Sequence, residues 1–187
     1  MPVNSYFVLI AFIFLFIVFI LQVARLRTSR SGFFGFPSIE KIYFYSGKIA
    51  IFPTWFLFIM KAIHPRLGYI YLPVGLSWFA VIVLYVGVII FTISLINLGK
   101  SLAIGLPDHV TKLQTHGLYR FSRNPLYLGV HLIAVASCIY FPDVINVSFA
   151  LYGIYIHHQI IRQEEDFLSK RFGRDWVTYK ERVRRYI

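Results

Sequence analysis

Five long runs of apolar residues, separated by short polar segments, make up most of the chain. The runs are Tyr6 to Val23, Gly47 to Ile63, Leu72 to Leu98, Pro125 to about Tyr140, and Val144 to Ile161. An α-helix rises about 1.5 Å per residue, so roughly 20 apolar residues cross a bilayer core about 30 Å thick. The pattern therefore predicts an all-α, polytopic integral membrane protein with five transmembrane helices. Pro53 lies inside the second run and predicts a kink there.

Two of the connecting segments carry structural information of their own. Ile39 to Tyr45 is amphipathic, which favours a position in the membrane interface before the second span. Phe141-Pro142-Asp143 is a tight turn, so the fourth and fifth spans are expected to be antiparallel neighbours. That arrangement returns Glu164 to the membrane face from which the fourth span starts at Asn124.

The tail from Arg162 onward has the periodicity of an amphipathic helix. Its large apolar residues recur at helical spacing, and the opposite face is basic; they are Leu168, Phe172, Trp176, Tyr179 and Val183. Gly173 interrupts this stripe and is predicted to stop the helix locally. The sequence predicts an amphipathic C-terminal helix lying on anionic lipid, with the added possibility that it covers a functional site.

Composition and charge exclude several classes of protein. Of the 187 residues, 58% are hydrophobic and the mean hydropathy is +0.66, a balance that an ordinary soluble domain of this size does not have. The net charge of +11 raises the question of nucleic acid, but the basic residues lie between apolar runs, where they orient a membrane protein. A single cysteine, Cys138, excludes a disulfide framework.

The distribution of basic residues predicts the topology. Seventeen of the 19 Lys and Arg residues fall on one side of the five predicted spans, and Lys61 and Arg66 fall on the other. By the positive-inside rule the C-terminus is cytoplasmic. Basic residues follow the first run and none precede it, which favours a retained first span with the N-terminus outside over a cleaved signal peptide.

The main polar interruption of the chain is the stretch from Thr115 to Gly129. Gly117 marks a turn, and Asn124-Pro125 is a helix-start signal. Tyrosines and arginines crowd the same residues, and a helix N-terminus can hold an anionic group. One interpretation is a headgroup or cofactor site at the membrane surface. The other is a well-capped cytoplasmic loop with orienting arginines.

Two motifs in the second half resemble those of a known family. They are Gly117-x-Tyr119 with Arg123-Asn-Pro-x-Tyr127-x-Gly129, and Glu164-Glu165-x-x-Leu168-x-x-x-Phe172-Gly173-x-x-Trp176-x-x-Tyr179-x-x-x-Val183. Together they resemble the cofactor-binding signature of the isoprenylcysteine carboxyl methyltransferase family, in the manner of a short prokaryotic member. That family belongs to a wider group of integral-membrane methyltransferases that includes the phospholipid N-methyltransferases. The resemblance covers about Gly99 to Ile187.

The resemblance implies an organisation and an activity. Residues 1–98 would supply three transmembrane helices and residues 99–187 the cofactor-binding, catalytic half, all within one structural domain. The enzyme would transfer a methyl group from S-adenosylmethionine to the C-terminal carboxylate of an isoprenylcysteine-type acceptor, leaving a methyl ester and S-adenosylhomocysteine. A carboxylate is ionised at neutral pH, so no general base is required. Expected partners are a lipid-attached small or protein acceptor and membrane lipids, with no nucleic acid and no metal, and the active site would face the cytoplasm.

Three alternatives remain open from the sequence. A phospholipid or other lipid N-methyltransferase would share the cofactor half, but its amine acceptor must lose a proton. A membrane sterol-type reductase has a similar C-terminal pattern and uses NADPH. A lipid-binding scaffold without catalytic activity would need neither Glu164 nor Tyr127 for function.

The resemblance also assigns roles to individual residues. Glu164 is expected to contact the cofactor through its carboxylate, and Arg162 to bind the substrate carboxylate; both are the predicted catalytic residues. Arg162 stands near Ile160, the position at which eukaryotic members carry an arginine. Glu165 and Asp166 are predicted to be surface charges. The predicted cofactor-binding residues are Thr111, Lys112, Leu113, Gln114, Gly117, Tyr119, Asn124, Pro125, Leu126, Tyr127 and Glu164.

Overall fold

The computed structural model describes residues 1–27, 35–68, 70, 72–99, 105–106 and 112–187, and these residues form six α-helices and no β-strand. The helices are α1 (Val3–Arg27), α2 (Lys41–Ile63), α3 (Val74–Leu98), α4 (Pro125–Tyr140), α5 (Val144–Phe172) and α6 (Arg174–Arg182). A 3₁₀ turn at Gly117–Arg120 precedes α4. The all-α class predicted from the apolar runs is confirmed.

Four of the helices, α1, α2, α3 and α5, are long and apolar enough to cross a membrane. Their outward faces expose large apolar side chains such as Phe16, Phe52 and Leu151, which a bilayer would cover. Helix α4 is equally apolar but has 16 residues, or about 24 Å at the usual helical rise. The five-span topology therefore stays a prediction.

Two helices, α2 and α5, differ most in extent from the sequence prediction. Helix α2 begins at Lys41 rather than Gly47 and includes most of the segment that was assigned to the interface. Phe44 explains the difference, because it is buried against Ile156 and Ile160 of α5 and so belongs to the packed part of the helix. Helix α5 continues past Ile161 to Phe172, where Gly173 ends it at a φ of +50°. The predicted interruption at Gly173 is confirmed.

The main core is shared by the first four helices. Val8 of α1, Phe58 of α2, Leu84 of α3 and Ile133 of α4 are completely buried within a single apolar cluster. Full burial of a side chain of this size is worth about 1.5–3 kcal/mol relative to exposure in water, although transmembrane helices in lipid gain mainly from close packing.

Glycines bring two helix pairs into close contact. A Cβ atom at Gly129 of α4 would lie 2.7 Å from the backbone nitrogen of Phe91 in α3, so no larger residue fits without moving the helix. Gly47 of α2 is packed in the same way against the Ile156 side chain of α5. Small residues at such positions let membrane helices approach closely. These contacts fix the start of α4 and the later turns of α5 relative to the rest of the bundle.

A buried polar group fixes the far end of the α4–α5 hairpin. The Nδ2 atom of Asn146 donates to Ser137 Oγ at 3.0 Å and to the Phe141 carbonyl at 2.8 Å. Ser137 Oγ in turn donates to the Thr54 carbonyl of α2 at 2.8 Å. Because this end is fixed, α5 returns beside α4 in one register, which sets the residues of α5 that meet the start of α4.

Candidate functional site

The polar stretch before α4 is attached to the end of α3. Gly117 has a φ of +62°, a conformation that favours glycine, and a Cβ atom there would collide with the Asn97 side chain. The same Asn97 side chain accepts a hydrogen bond from the Leu118 backbone N–H at 3.0 Å. The turn therefore holds Tyr119 and the residues that follow it at the end of the helical bundle.

A buried carboxylate joins the two sequence motifs. Glu165 accepts a two-pronged hydrogen bond from Arg123, with Nε–Oε1 and Nη2–Oε2 distances of 3.1 Å each. It also accepts hydrogen bonds from Arg185, at 2.9 Å to Nη2, and from Asn124 Nδ2 at 3.0 Å. Glu165 is only 5% exposed and the Arg123 side chain 7%. We call these four residues the Glu165 cluster.

The Glu165 cluster corrects one sequence prediction. Glu165 was predicted to be a surface charge, because neighbouring positions on a helix face different directions. It is buried, and the adjacent Asp166 is the exposed one. The burial is possible because two arginines that are far from Glu165 in sequence converge on it, and a buried carboxylate needs such partners.

Asn124 differs in detail from its predicted role as a helix cap. It immediately precedes α4 and its carbonyl accepts from Leu128 N at 3.0 Å, but its side chain makes no capping hydrogen bond. The side-chain amide instead donates to Glu165 and, at 3.3 Å, to the Arg185 carbonyl. The charged acceptor competes successfully for the amide, since hydrogen bonds to ionised groups are the stronger ones.

The segment after α6 folds back over the start of α4. The Arg123 backbone N–H donates to the Arg184 carbonyl at 2.9 Å, and the Arg123 guanidinium donates to the Val183 carbonyl at 2.7 Å. Ser122 Oγ donates to the Arg185 carbonyl at 3.3 Å. The segment after α6 is thus fixed against the start of α4.

Glu164 and Tyr127 form a second polar pair beside this cluster. The Tyr127 hydroxyl donates to Glu164 Oε1 at 3.0 Å, which joins α4 to α5. Both side chains line a cavity, whereas Glu165 does not. The predicted return of Glu164 to the start of α4 is confirmed by this bond and by the bond between Asn124 and Glu165.

The cavity has a volume of about 170 Å³. That is more than ten times the roughly 10–15 Å³ that one buried water requires, so the space is larger than a packing defect. Its lining combines polar, charged and aromatic side chains with a few aliphatic ones. The predicted residues among them are Lys112, Leu113, Gln114, Tyr119, Asn124, Leu126, Tyr127 and Glu164.

Aromatic residues of the tail complete one side of the cavity. Trp176 and Tyr179 of α6 line it and pack with Leu113, Leu168 and Val183 in an apolar cluster. The Tyr179 hydroxyl donates to the Tyr119 carbonyl at 2.7 Å. Burial raises the pKa of Tyr179 to about 12, and burial also raises the pKa of Tyr119. Both phenols are therefore neutral at physiological pH.

Some predicted site residues do not line this cavity. Pro125 is buried in the first turn of α4, and Gly117 acts through the backbone turn rather than the cavity wall. Arg162 is exposed on α5 and is not among the lining residues, so its role in substrate binding stays a prediction. Thr111 lies outside the described residues. Within the described part of the chain, no three His, Cys, Asp or Glu residues are placed to hold a metal ion.

The prediction missed eight residues that line the cavity, and four of these are charged or aromatic. Arg123, Phe167, Trp176 and Tyr179 all line the cavity but were not assigned to it. Three of them were visible in the sequence: Arg123 stands in the Arg-Asn-Pro motif, and Trp176 and Tyr179 stand in the apolar stripe of the tail. The two motifs were therefore the signal that could have identified these three residues, because all three belong to them.

Comparison with known proteins bears on these motifs. A sequence model described as phospholipid methyltransferase matches residues 76–175, more than half of the chain. The chain belongs to the phospholipid methyltransferase family. The matched range contains the first motif, the part of the second motif from Glu164 to Gly173, and all the cavity-lining residues except Trp176 and Tyr179. Membership of this family, with four long apolar helices, makes the chain an integral membrane protein.

Individual relatives of this family member carry a more specific name. The chain is 33% identical over 112 residues to protein-S-isoprenylcysteine O-methyltransferase A of Arabidopsis thaliana, and the match covers 57% of the chain and 56% of the relative. It is 29% identical over 111 residues to a probable protein-S-isoprenylcysteine O-methyltransferase of Oryza sativa subsp. indica, covering 57% and 58%. The chain thus matches a little over half the length of each relative. The resemblance read from the motifs is confirmed at the level of the family.

Proposed function

We propose that this protein is an integral-membrane methyltransferase that uses S-adenosylmethionine and acts on a lipid-attached carboxylate of the isoprenylcysteine type. The observation that carries the proposal is the cavity shared by the two motifs, in which the Tyr127–Glu164 pair faces an aromatic and polar wall. The names of the plant relatives support the same reaction. The family match supports a methyltransferase over an NADPH-dependent reductase.

The cavity lining suits the chemistry of S-adenosylmethionine. When bound, that cofactor supplies a methyl group on a positively charged sulfur, which leaves as a neutral thioether once the methyl has moved to an acceptor oxygen. Tyrosine and tryptophan rings attract a cation, and the Glu164 carboxylate can accept hydrogen bonds from hydroxyl or amino groups. Gln114 and Asn124 offer further polar contacts, and Lys112 offers a positive charge for a carboxylate.

The chain's own residues would act by positioning the cofactor and the acceptor carboxylate against each other and by excluding water. A carboxylate acceptor is already ionised at neutral pH, so no side chain has to remove a proton from it. Bringing two reactants into contact in the right orientation can contribute several orders of magnitude in rate. The Glu165 cluster holds the start of α4 and the tail together, and Trp176 and Tyr179 of α6 would cover one side of the cavity and limit the access of bulk water.

The proposed topology has five spans, with α4 as the short fourth one. The start of α4, the end of α3 and the tail lie together at the cavity. Most of the chain's basic residues belong to the segments at this end, so we assign it to the cytoplasmic side, together with the C-terminus. A water-soluble cofactor would enter from that side, and a lipid-attached acceptor would arrive through the bilayer.

A second candidate is a lipid N-methyltransferase, and one observation favours it. His131 and His157 stack at 5.6 Å between ring centroids, and His157 lies 5.3 Å from the Tyr127 ring. In the described part of the chain, His131 Nε2 and His157 Nδ1 are buried without a hydrogen-bond partner. Neither histidine lines the cavity, but His157 contacts the Tyr127 ring that does, and an unprotonated imidazole nitrogen can accept the proton that an ammonium acceptor must lose.

Calorimetric titration of the detergent-purified protein tests the cofactor half of the proposal. We expect S-adenosylhomocysteine to bind with micromolar affinity and NADPH not to bind. Glu164→Gln and Tyr127→Phe should each weaken the binding about tenfold or more, since each removes a polar contact to an ionised or buried group. Asp166→Asn, an exposed change on the same helix, is the matched control.

Turnover with two acceptors separates the two candidates. A prenylated cysteine with a free carboxylate and phosphatidylethanolamine are each supplied in micelles with labelled donor. Methylation of the prenylcysteine supports the first proposal, and methylation of the phospholipid amine supports the second. Binding of NADPH in place of S-adenosylhomocysteine would overturn both.

A further inference from the structure

Lys48 is a lysine inside a membrane helix, and it makes no close ion pair with any residue that the structure describes, although the Glu164 carboxylate is near enough to interact with its charge. It lies in α2 and is half-buried, with its ammonium 4.8 Å from the Phe44 ring centroid and 5.6 Å from that of Tyr127. Among the described residues no carboxylate forms an ion pair with it. An ionisable group within a membrane-spanning helix is energetically unfavourable, and it is usually paired or functional. Aromatic faces stabilise the cation only partly, so the ammonium retains the capacity to bind an anion.

The position of Lys48 connects it to the candidate active site. Tyr127 lines the cavity and donates to Glu164, and the same Tyr127 ring lies beneath the Lys48 ammonium. Lys48 does not itself line the cavity. The Tyr127 ring is therefore a wall that the cavity and the Lys48 ammonium share.

The surroundings of Lys48 face the bilayer. Tyr45, Ile49 and Phe52 of the same helix are each more than half exposed, which leaves this side of α2 open to lipid chains. A lipid-attached acceptor keeps its tail in the bilayer and must present its polar end at the cavity. An acceptor held in the bilayer on this side of α2 would have its polar end close to Lys48.

The other cations near the site are less suited to this task. Arg123 is committed to Glu165 and to carbonyls of the tail. Lys112 is exposed on the segment before the 3₁₀ turn, and Arg162 is exposed on α5 away from the cavity lining. Lys48 alone among these four is half-buried on a membrane helix and in contact with a cavity-lining ring.

We propose that Lys48 binds the anionic group of the lipid acceptor and holds it beside Tyr127. The inference rests on the proposed function and adds the residue that selects the acceptor. The ligand chemistry is a carboxylate or phosphate attached to a lipid chain, a feature shared by a prenylated cysteine and a phospholipid. Lys48 is a binding residue of the acceptor, distinct from the residues assigned to the cofactor.

Direct binding, measured without the methyl donor, tests the proposal. The probes are a prenylated cysteine with a free carboxylate, its methyl ester, and phosphatidylethanolamine in nanodiscs, each titrated into the wild type, Lys48→Gln, Lys48→Arg and Lys41→Gln. Lys41 lies in the first turn of α2, is exposed, and loses the same unit of charge. S-adenosylhomocysteine is titrated into all four proteins in parallel.

The expected result is specific to Lys48 and to the anion. Lys48→Gln should weaken binding of the free carboxylate, or of the phospholipid, by about tenfold to a hundredfold. Lys48→Arg should retain most of the affinity, Lys41→Gln should behave as the wild type, and the methyl ester should bind equally weakly to all. If Lys48→Gln weakens binding of the prenylcysteine alone, the group that Lys48 binds is a carboxylate. If the substitution weakens binding of the phospholipid alone, that group is a phosphate.

Other outcomes would overturn the proposal. One is that no anionic probe binds the wild type more tightly than the methyl ester does. A second is that Lys48→Gln weakens S-adenosylhomocysteine as much as the acceptor, which would make Lys48 a counter-ion of Glu164. Because lipid binding is measured without a donor, failure of S-adenosylhomocysteine to bind the wild type would count against the proposed function and leave the Lys48 result to be judged separately.

Discussion

Removal of the Glu165 carboxylate is expected to destabilise the protein more than any other single charge change in its second half. Glu165→Ala leaves the guanidinium of Arg123, which is 7% exposed, without its counter-ion. Breaking a buried ion pair by removing one partner typically costs about 3–5 kcal/mol. Arg185 is 33% exposed and can turn to water, so its loss of a partner adds little.

The magnitude can be checked by thermal unfolding in detergent. For a chain of 150–250 residues, 1 kcal/mol corresponds to roughly 2–4 °C in Tm, so Glu165→Ala should lower Tm by about 6–20 °C. Glu165→Gln keeps an acceptor oxygen but loses the charge, and it should fall between Glu165→Ala and the wild type.

A neighbouring carboxylate provides the control. Asp166 lies beside Glu165 in the sequence but is exposed, so Asp166→Asn should change stability by no more than about 0.5 kcal/mol. Arg185→Gln should destabilise the protein by about 1 kcal/mol, an intermediate effect, because Glu165 still accepts the hydrogen bonds of Arg123. If Glu165→Ala melts within 2 °C of Asp166→Asn, with equal helical content by circular dichroism, the argument that the cluster holds the site together is refuted.

Two further changes test the tail and the helix packing. Tyr179→Phe removes the hydroxyl that donates to the Tyr119 carbonyl at 2.7 Å and should cost about 1 kcal/mol below pH 10. Burial raises the folded-state pKa of Tyr179 to about 12, above the unfolded value near 10. The extra stability of the wild type over Tyr179→Phe should therefore be lost as pH rises from about 10 to 12. A difference in stability that instead grows over this range would contradict the assignment. Gly129→Ala places a methyl group against the backbone of Phe91 and should destabilise the protein by about 1–3 kcal/mol in the same melting assay. The control is Gly75→Ala, whose methyl group meets open space and should be neutral or mildly stabilising. Equal melting temperatures of the two variants would rule out close packing at Gly129.

The parts of the fold that could be predicted are those encoded locally. Apolar runs located α1, α3, α4 and α5, because a helix that faces lipid has to be apolar along its length. Gly173 was identified as a break because glycine tolerates the positive φ that ends α5. The start of α2 was misplaced because Phe44 is held by contacts with α5, which no local pattern reveals.

The site divides in the same way. Tyr119, Tyr127 and Glu164 could be found from the motifs and from the short turn that makes α4 and α5 neighbours. Glu165 could not, because its burial depends on Arg123 and Arg185, which approach it from segments far away in the chain. The contact between Lys48 and the Tyr127 ring could not be predicted either, because the sequence shows Lys48 only as one of many basic residues.

The Glu165 cluster has a consequence for how the protein is made. Arg123 is synthesised before α4, Glu165 late in α5, and Arg185 only after α6. During translation the Arg123 guanidinium must therefore stay hydrated at the membrane surface while the following helices insert, since its counter-ion does not yet exist. We expect a biosynthetic intermediate with an inserted helical bundle and an incomplete Glu165 cluster, which forms only when residues 183–186 fold back over the start of α4.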